Sequence, residues 1–481
     1  MTSDEVSPAK PGTAPPAAPF AISLIALLGA SLTALAYWPG FMTWDAIRQY
    51  GQALTGEFDD WHPPAMGWLW RQLTAIHAGP APMLVVQLTL EWVGLALLAG
   101  WAWARGRGGL AALILACGFL PFPLALTGEV LKDCLMAGAL LAAAGALAQV
   151  EGSRHATVWR IAGLALLVFA ATLRFNAFLA TVPLAVALLP RAWWRGRGRL
   201  LVATAVSAAV MVAALPVANR LIGAKPSGVG LSLVIFDLGG ITHFSGQFAF
   251  PPITDFDASD DPAGIVSACY DPSKWDRYAW WGAAPCDIGF DNVDDAFTAQ
   301  HISPYRWWAG EIAAHPFAYA EHRLTHFDIN ARLFSRDLAE RPVQIDPPPN
   351  DWGYRVTPGP LLGAIDAAAV WSAATPLGWP ILWMAVALGV LIAGSASPSA
   401  RVFVPLALSS LLYGLGYGVF SVASELRYHL WTILAAMIAA LIVASNLLDG
   451  ARVPRPRLIA AAVPPLLILV ACVAWRALDP A

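Results

Sequence analysis

Long apolar segments alternate with short polar ones along most of the chain. About eleven segments are long and apolar enough to cross a hydrocarbon core roughly 30 Å thick. They lie near residues 20–38, 82–104, 109–127, 133–150, 159–173, 175–190, 200–222, 376–395, 401–420, 428–447 and 457–476. The run from 159 to 190 is interrupted only by Arg174 and Asn176. This run is therefore either two short spans or one long helix with a re-entrant piece.

The arginines between the apolar segments indicate an orientation. Lys and Arg collect in cytoplasmic loops. With the N-terminus inside and the 159–190 run split in two, every short loop rich in arginine faces the cytoplasm, including the RAWWRGRGR cluster at 191–199. Treating the run as one span would place that cluster on the opposite side, so the pattern favours the split.

The same pattern divides the chain into four parts. Residues 1–19 are rich in Pro and Ala and contain Asp4 and Glu5, unlike the basic start of a signal peptide. We expect them to be a disordered cytoplasmic tail. Residues 20–224 form an N-terminal transmembrane module with a first outer loop at 39–81. Residues 225–360 form a large extracytoplasmic loop domain, and 361–481 a C-terminal transmembrane module.

Composition fits an all-α polytopic membrane protein. Of 481 residues, 58% are hydrophobic and only 13% are charged, and the mean hydropathy is +0.58. A soluble core of this length does not need so much apolar surface. The net charge of −3 gives no reason to expect a nucleic-acid partner.

The orientation places most polar motifs on the outer side. Ionisable residues at a membrane boundary are costly and tend to be functional. The candidates are Asp45 in WPGFMTWDAIRQY, Asp59, Asp60 and His62 in EFDDWHPP, Glu129, Lys132 and Asp133 in TGEVLKD, Arg174 and Asn176 in LRFN, and Arg427 and Tyr428 in SELRYH. Each has a structural alternative: a helix cap for Asp45, an interfacial ion pair for Lys132 and Asp133, backbone satisfaction for Arg174 and Asn176, and snorkelling to lipid head groups for Arg427.

A site of carboxylates and cations at a membrane face suits transfer from a lipid-borne phosphate donor. Such an enzyme needs a base for the acceptor hydroxyl and positive charge for the phosphate. We expect Asp45 to be the base and Arg427, Arg174 or Lys132 to supply the charge, because a guanidinium meets phosphate oxygens bidentately. Tryptophans such as Trp61, Trp68, Trp280, Trp281 and Trp307 either stack on a sugar or form a membrane belt.

The loop domain carries two further patterns. Cys269 and Cys286 lie on the side expected to be oxidising, which predicts a disulfide between them. The segment SPYRWWAGEIAAHPFAYAEHRLTHFDI has the periodicity of an amphipathic helix lying on a membrane, with Leu324 on its apolar face and Arg323 on its polar face. His322 and His326 are four residues apart and are either a weak zinc pair or ordinary packed side chains.

Taken together, these motifs resemble the polytopic glycosyltransferases of the GT-C superfamily over residues 20–450. The resemblance rests on a Trp-Asp pair after the first span, an acidic run ending in His-Pro-Pro, a Lys-Asp pair opening a later span, an Arg-x-Asn, a His-Pro-x-x-Tyr-x-x-His-Arg helix and a late Arg-Tyr. It implies a GT-C-like fold and an inverting transfer of sugar from a polyprenyl-phosphate carrier to a glycan, lipid or protein acceptor.

The resemblance also assigns residues. Asp45 matches the first-loop catalytic acid, Arg427 the arginine near the carrier phosphate, and Asp59, Asp60 and His62 the end of the first loop. A clean second acidic motif is missing, and Glu129 or Asp133 stands in its place, so a divalent metal such as Mg or Mn stays open. The implied location is a bacterial cytoplasmic membrane, with the site facing the periplasm or the exterior.

Two other functions stay open from the sequence. One is a transporter or flippase of a lipid-linked or anionic substrate, although transporters usually hold their charges near mid-membrane and contain repeats. The other is a surface-polysaccharide ligase or polymerase that uses a diphosphate donor. The glycosyltransferase would release the carrier lipid as a monophosphate, and the ligase or polymerase would release it as a diphosphate.

Overall fold

The protein is an all-α multi-pass membrane protein. The computed structural model describes residues 17–253, 261–279, 286, 288–335, 348–394 and 399–478. Within these ranges the regular structure is helical, and the β contacts are three isolated bridges. Most of the predicted 1–19 tail, together with Trp280 and Trp281, lies outside the described residues.

Twenty α-helices and four 3₁₀ turns are described. The first ten helices are α1 (Ala17–Tyr37), α2 (Trp44–Thr55), α3 (Ala65–Thr74), α4 (Ala81–Trp103), α5 (Gly108–Cys117), α6 (Pro121–Leu126), α7 (Lys132–Val150), α8 (Ala156–Ala171), α9 (Phe178–Leu188) and α10 (Arg197–Ile222). The others are α11 (Gly230–Ser245), α12 (Pro262–Cys269), α13 (Phe290–Ala299), α14 (Pro304–Ala314), α15 (Pro316–Ala331), α16 (Pro360–Ala374), α17 (Pro380–Ala393), α18 (Ala400–Phe420), α19 (Leu430–Leu448) and α20 (Arg455–Leu478). The 3₁₀ turns are Arg191–Trp194, Asp276–Tyr278, Pro376–Gly378 and Leu426–His429.

Among the described residues, seven helices are long and apolar enough to cross a membrane by themselves. These are α1, α4, α7, α10, α18, α20, and α19 together with the preceding 3₁₀ turn. The other four predicted spans coincide with shorter helices. For example, the 109–127 segment is divided into α5 and α6, because Pro121 begins a new helix. The number of crossings, eleven, therefore stays a prediction.

The run from 159 to 190 consists of two helices, α8 and α9, which pack against each other. A Cβ added to Gly163, in the middle of α8, would lie 2.8 Å from the side chain of Leu188 at the end of α9. Since α9 begins just after the end of α8 and ends beside the middle of α8, the pair is antiparallel. The turn between them carries Arg174 and Asn176 at one end of the bundle.

Helix α7 lies at the centre of the bundle and is almost entirely buried. Small residues let it approach α4 closely, as is common between membrane helices. A Cβ on Gly94 of α4 would lie 2.4 Å from the backbone of Leu141, and one on Gly145 of α7 would lie 2.7 Å from Leu97. This close packing fixes the position of the first turn of α7, where Lys132 and Asp133 lie.

Helices α11 to α15 form a second hydrophobic core of their own, which includes Phe236, Tyr278, Val293 and Phe297. The expected disulfide is present between Cys269 and Cys286, which are 17 residues apart. We call α11 to α15, with their connections, the loop domain, and the adjacent end of the bundle the domain end.

The predicted amphipathic helix is two helices, α14 and α15, separated at His315 before Pro316. Leu324 is 69% exposed, which fits an apolar face that lies on a membrane, whereas Arg323, expected on the polar face, is buried. Arg323 turns inward because it contacts Asp237 of the loop domain and the carbonyl of Ser421 at the end of α18.

Arginines gather at the opposite end of the bundle. Arg107 contacts Asp449 at 2.7 Å, Arg191 pairs with Glu151, and Arg401 donates to the carbonyl of Ala187 at 3.4 Å. Helix α7, 19 residues long, separates this end from Lys132 by roughly 28 Å at 1.5 Å per residue. The two ends of the bundle therefore carry different chemistry.

Candidate active site

A cavity of about 1340 Å³ lies between the domain end of the bundle and the loop domain. Its walls come from the start of α2, the α2–α3 loop, the first residue of α7, the α8–α9 turn, residues 271–276 and residues 417–428. The cavity brings together six of the candidate site residues, which are Asp45, His62, Lys132, Arg174, Arg427 and Tyr428.

Asp45 reaches this cavity because of the way α2 begins. Thr43 is the N-cap, and its hydroxyl accepts a hydrogen bond from the Ala46 amide. The capping role considered for Asp45 is thus taken by Thr43, and the Asp45 side chain points elsewhere. Phe41 pairs with the segment before α7, where Val130 N donates to Phe41 O at 2.8 Å. That pairing holds the start of α2 beside Lys132.

Lys132 connects Asp45 and His62. Its Nζ lies 3.0 Å from Asp45 Oδ2 and 2.9 Å from His62 Nδ1. An ammonium group only donates, so His62 Nδ1 accepts and the proton lies on Nε2. His62 Nε2 is 3.7 Å from Asp45 Oδ1. Arg427 Nη1 lies 3.4 Å from the same Asp45 Oδ2 that Lys132 contacts.

These contacts set the protonation states. Burial works against the charge on Asp45, but Lys132, and further Arg427, outweigh it and hold the pKa of Asp45 well below its usual range. Burial, reinforced by Lys132, lowers the pKa of His62 to about 3. At neutral pH the site therefore contains an ionised Asp45 and an uncharged His62.

Arg427 stands in the 3₁₀ turn before α19 and is shared by two acids. Its Nη2 donates to Glu425 Oε1 at 2.8 Å, and its Nε also contacts Glu425. The Tyr428 hydroxyl donates to the same Glu425 oxygen at 3.2 Å. Arg427 is only 12% exposed in its side chain, so it does not snorkel to lipid head groups. It is a fixed guanidinium facing the cavity.

Asp133 and Arg174 form a second pair behind the first. Lys132 and Asp133 follow each other on α7 and point in different directions, Lys132 to Asp45 and Asp133 to Arg174. The guanidinium of Arg174 also lies 4.3 Å from the ring centroid of Tyr428. Asp133 does not line the cavity, and neither does the buried Asn176. The pair therefore supports the wall that carries Tyr428.

Asp59, Asp60 and Glu129 also lie away from the cavity lining. Asp59 contacts Arg48 at 2.7 Å and accepts from the Trp61 amide. Asp60 accepts from both the amide and the hydroxyl of Ser227 at 2.7 Å. Glu129 is buried before α7. These carboxylates shape the loops around the site and are not placed to touch a substrate in the cavity.

The sequence reasoning missed Glu425, Arg48 and Lys274, all of which line the cavity. For Lys274 the sequence did contain a signal, which is the rarity of lysine in this chain. The chain has only four lysines among 29 basic residues, and two of these, Lys132 and Lys274, face the cavity. In a chain that otherwise uses arginine, each lysine was a candidate.

The donor set around Asp45 does not fit a divalent metal. Among the described residues no three His, Cys, Asp or Glu side chains are grouped to hold one. Mg²⁺ and Mn²⁺ prefer oxygen ligands. Here Lys132 and Arg427 already contact one oxygen of Asp45, and the Nδ1 lone pair of His62 faces Lys132. A metal ion would meet two fixed positive charges. The two histidines of α15 are also engaged, His322 with Asp237 and His326 with the Pro272 carbonyl.

No protein-family model and no curated protein matches the chain. Three solved structures resemble it, all of an oligosaccharyltransferase from Archaeoglobus fulgidus. The complex of this enzyme, AglB, with an inhibitory peptide and a dolichol-phosphate is 14% identical with a TM-score of 0.37, covering 96% of this chain and 55% of that one. The form tethered to an acceptor peptide containing the NVT sequon is also 14% identical, with a TM-score of 0.35, and the match covers 95% of this chain and 54% of that one. The apo form is 13% identical, with a TM-score of 0.32, and the match covers 94% of this chain and 56% of that one. The chain spans little more than half the length of these structures. At this level of identity and TM-score, the similarity does not assign a function.

Proposed function

We propose that this protein is a membrane glycosyltransferase that moves a sugar from a polyprenyl monophosphate to an acceptor hydroxyl in the cavity. One observation carries the proposal: the carboxylate of Asp45 is held between Lys132 and Arg427 at the wall of a large cavity that is lined by aromatic and apolar side chains. A base and a phosphate-binding pair of cations are then in contact before any substrate arrives.

The charges match the course of such a reaction. The donor is a phosphodiester with one negative charge, and the departing polyprenyl phosphate gains a second. Lys132 and Arg427 face the oxygen on which this charge develops, and fixed charges in a partly buried site stabilise it strongly. Because the cations are side chains, this part of the reaction is assigned to the protein without a metal.

Asp45 is the base in this scheme. The acceptor oxygen attacks the anomeric carbon, the bond from that carbon to the phosphate oxygen breaks, and the hydroxyl proton passes to Asp45. One displacement inverts the anomeric configuration. A phosphate bound to Lys132 and Arg427 offsets their positive charge and so raises the proton affinity of the Asp45 carboxylate when the acceptor is present.

The walls of the cavity suit the rest of a lipid-linked sugar. Trp61 lines it and offers a flat surface to a sugar, and its ring centroid lies 6.0 Å from that of the buried Trp275. Phe175 and Phe420, about half exposed, line the same cavity beside Arg174 and offer an apolar contact for an isoprenoid chain. The arginines at the far end of the bundle support a site on the outer face of the membrane, and we propose that this membrane is a bacterial cytoplasmic membrane.

The test is a transfer assay with the protein in liposomes. Radiolabelled polyprenyl-phosphate sugars and the matching diphosphate sugars are offered with a mixed glycan, lipid and peptide acceptor pool. We expect a covalent glycan product and release of polyprenyl monophosphate. Release of a diphosphate would indicate a ligase or polymerase, and movement of lipid-linked sugar across the bilayer without a product would indicate a flippase. Either result would overturn the proposal.

A further inference from the structure

The segment that carries Arg427 is held by the loop domain. Residues 421–429 run from the end of α18 into the 3₁₀ turn. The carbonyl of Ser421 accepts from Arg323 Nη1 at 2.7 Å, and that of Val422 accepts from the Trp275 amide at 2.9 Å. The Ser424 hydroxyl donates to the Ser273 carbonyl at 2.8 Å. The turn thus takes its position from the loop domain as well as from α18.

Asn330 of α15 contacts this segment at both ends. Its Nδ2 donates to the Ala423 carbonyl at 3.1 Å, and its Oδ1 lies 2.6 Å from His429 Nε2. Because the amide oxygen only accepts, His429 donates from Nε2. Asn330 is 2% exposed and His429 is fully buried. One side chain thereby fixes the distance between Ala423 and His429, and Glu425 and Arg427 lie between them.

Helix α15 is itself anchored two turns earlier. Asp237 of α11 is fully buried and accepts from His322 Nε2 at 3.1 Å, from Trp308 Nε1 at 2.8 Å, and from Arg323. Arg323 also reaches the Ser421 carbonyl. The buried ionic contact fixes α15 relative to α11, and Asn330 lies on the same side of α15, two turns beyond Arg323.

We propose that Asn330 is a positioning residue for phosphate binding: it holds the 423–429 turn so that the guanidinium of Arg427 stays beside Asp45. This inference rests on the proposed function, because that function supplies the phosphate that Arg427 would bind. The loop domain is then a part of the active site, because it sets the place of a phosphate-binding cation that belongs to the bundle.

The experiment compares Asn330→Ala with Asn350→Ala in the full-length protein in detergent. Asn350 is the control: it is partly buried, and it likewise donates to a carbonyl and accepts one hydrogen bond, in both cases with the backbone of Tyr354, away from residues 421–429. Hydrogen exchange at residues 424–428 and the affinity for farnesyl phosphate are measured. For Asn330→Ala we expect exchange at least about tenfold faster at these residues and affinity at least about tenfold weaker, because the variant loses two buried hydrogen bonds. For Asn350→Ala we expect neither change.

A second variant separates positioning from general stability. Asn330→Asp has the same shape and keeps an acceptor for His429 but has no donor for Ala423, so we expect faster exchange at Ala423–Glu425 in particular. Unchanged exchange at 423–428 in both folded variants would overturn the proposal. So would failure of both to fold where Asn350→Ala folds, since Asn330 would then support the whole interface. If wild-type protein does not bind farnesyl phosphate, the proposed function fails, while the exchange data still test the turn.

Discussion

Two carboxylates in this protein have similar partners and different surroundings. Asp45 contacts a lysine, an arginine and a histidine, and its side chain is 23% exposed at the cavity. Asp237 contacts an arginine, a histidine and a tryptophan, and its side chain is fully buried between α11, α14 and α15. Both keep their pKa below the usual range because nearby cations outweigh the effect of burial.

The difference between the two clusters lies in access. At Asp237 the cationic partner, Arg323, is enclosed, so the ion pair serves to fix α15 relative to α11. At Asp45 the cations face about 1340 Å³ of open space, and an incoming anion can take them over. A perturbed pKa alone marks both clusters. Geometry and access identify Asp45 as the candidate catalytic residue and Asp237 as a structural one.

The largest effect is expected from Asp45→Asn. The amide keeps the shape of the side chain but cannot take the acceptor proton, so kcat should fall by about 10²–10⁴-fold, the usual contribution of general-base catalysis. Steady-state kinetics of sugar transfer measure it. Asp59→Asn is the control, because Asp59 lies off the cavity, and its kcat should stay within about threefold. Equal loss in both variants would show that the first loop acts only as a structural unit.

Asp237→Ala should lower the free energy of unfolding without acting directly on the transfer reaction. It leaves Arg323 buried without its carboxylate, and breaking a buried pair in this way costs about 3–5 kcal/mol of unfolding free energy. Denaturant or thermal unfolding in detergent measures the loss, with the exposed Asp291→Ala as a control expected within about 0.5 kcal/mol. A stable Asp237→Ala protein would remove the contrast between the clusters.

Acid should weaken the cavity cluster through His62. The pKa of His62 in the folded protein, about 3, lies below its value of 6.5 in a model peptide, so the unfolded chain binds this proton first. Its contribution to stability is complete above about pH 6.5 and is lost as the pH falls toward 3. The midpoint of thermal unfolding should therefore drop less between pH 7.5 and 5 in His62→Gln than in wild type. An identical drop would mean that His62 titrates with the same pKa in the folded and the unfolded protein.

The smallest effect is expected from chelation. Because Lys132 and Arg427 already contact the carboxylate that a metal would need, EDTA should change the rate of sugar transfer by less than about twofold. Added Mg²⁺ or Mn²⁺ should not raise it. A rate that vanishes with EDTA and returns with Mn²⁺ would contradict the assignment of these side chains to the phosphate.

The sequence was most informative where hydrophobicity alone decides. The long apolar runs that became α4, α7 and α10 were predicted within a few residues, and the arginine pattern favoured the split of 159–190 that the structure contains. The shorter spans were overestimated. Helix α9 has only 11 residues, because the boundary residues around it form a turn and a 3₁₀ segment that hydropathy does not distinguish from helix.

The candidate site was less predictable because it depends on contacts between distant segments. A surface position was predicted for Arg323, since helical periodicity shows which residues share a face but not what that face meets. Asp59 and Asp60 resemble Asp45 in sequence, yet their oxygens are directed to Arg48 and Ser227 by a local loop. Nothing in the spacing indicates that Asn330 reaches both Ala423 and His429.

The central claim is that Asp45 and the donor phosphate share the same two cations. Binding of farnesyl phosphate and sugar transfer, measured on one preparation each of Asp45→Asn and Lys132→Met, test it most directly. We predict that Asp45→Asn binds the phosphate at least as tightly as wild type while losing turnover, because a competing anion is removed. Lys132→Met should bind it at least about tenfold more weakly. Weaker binding by Asp45→Asn together with unchanged binding by Lys132→Met would contradict the account.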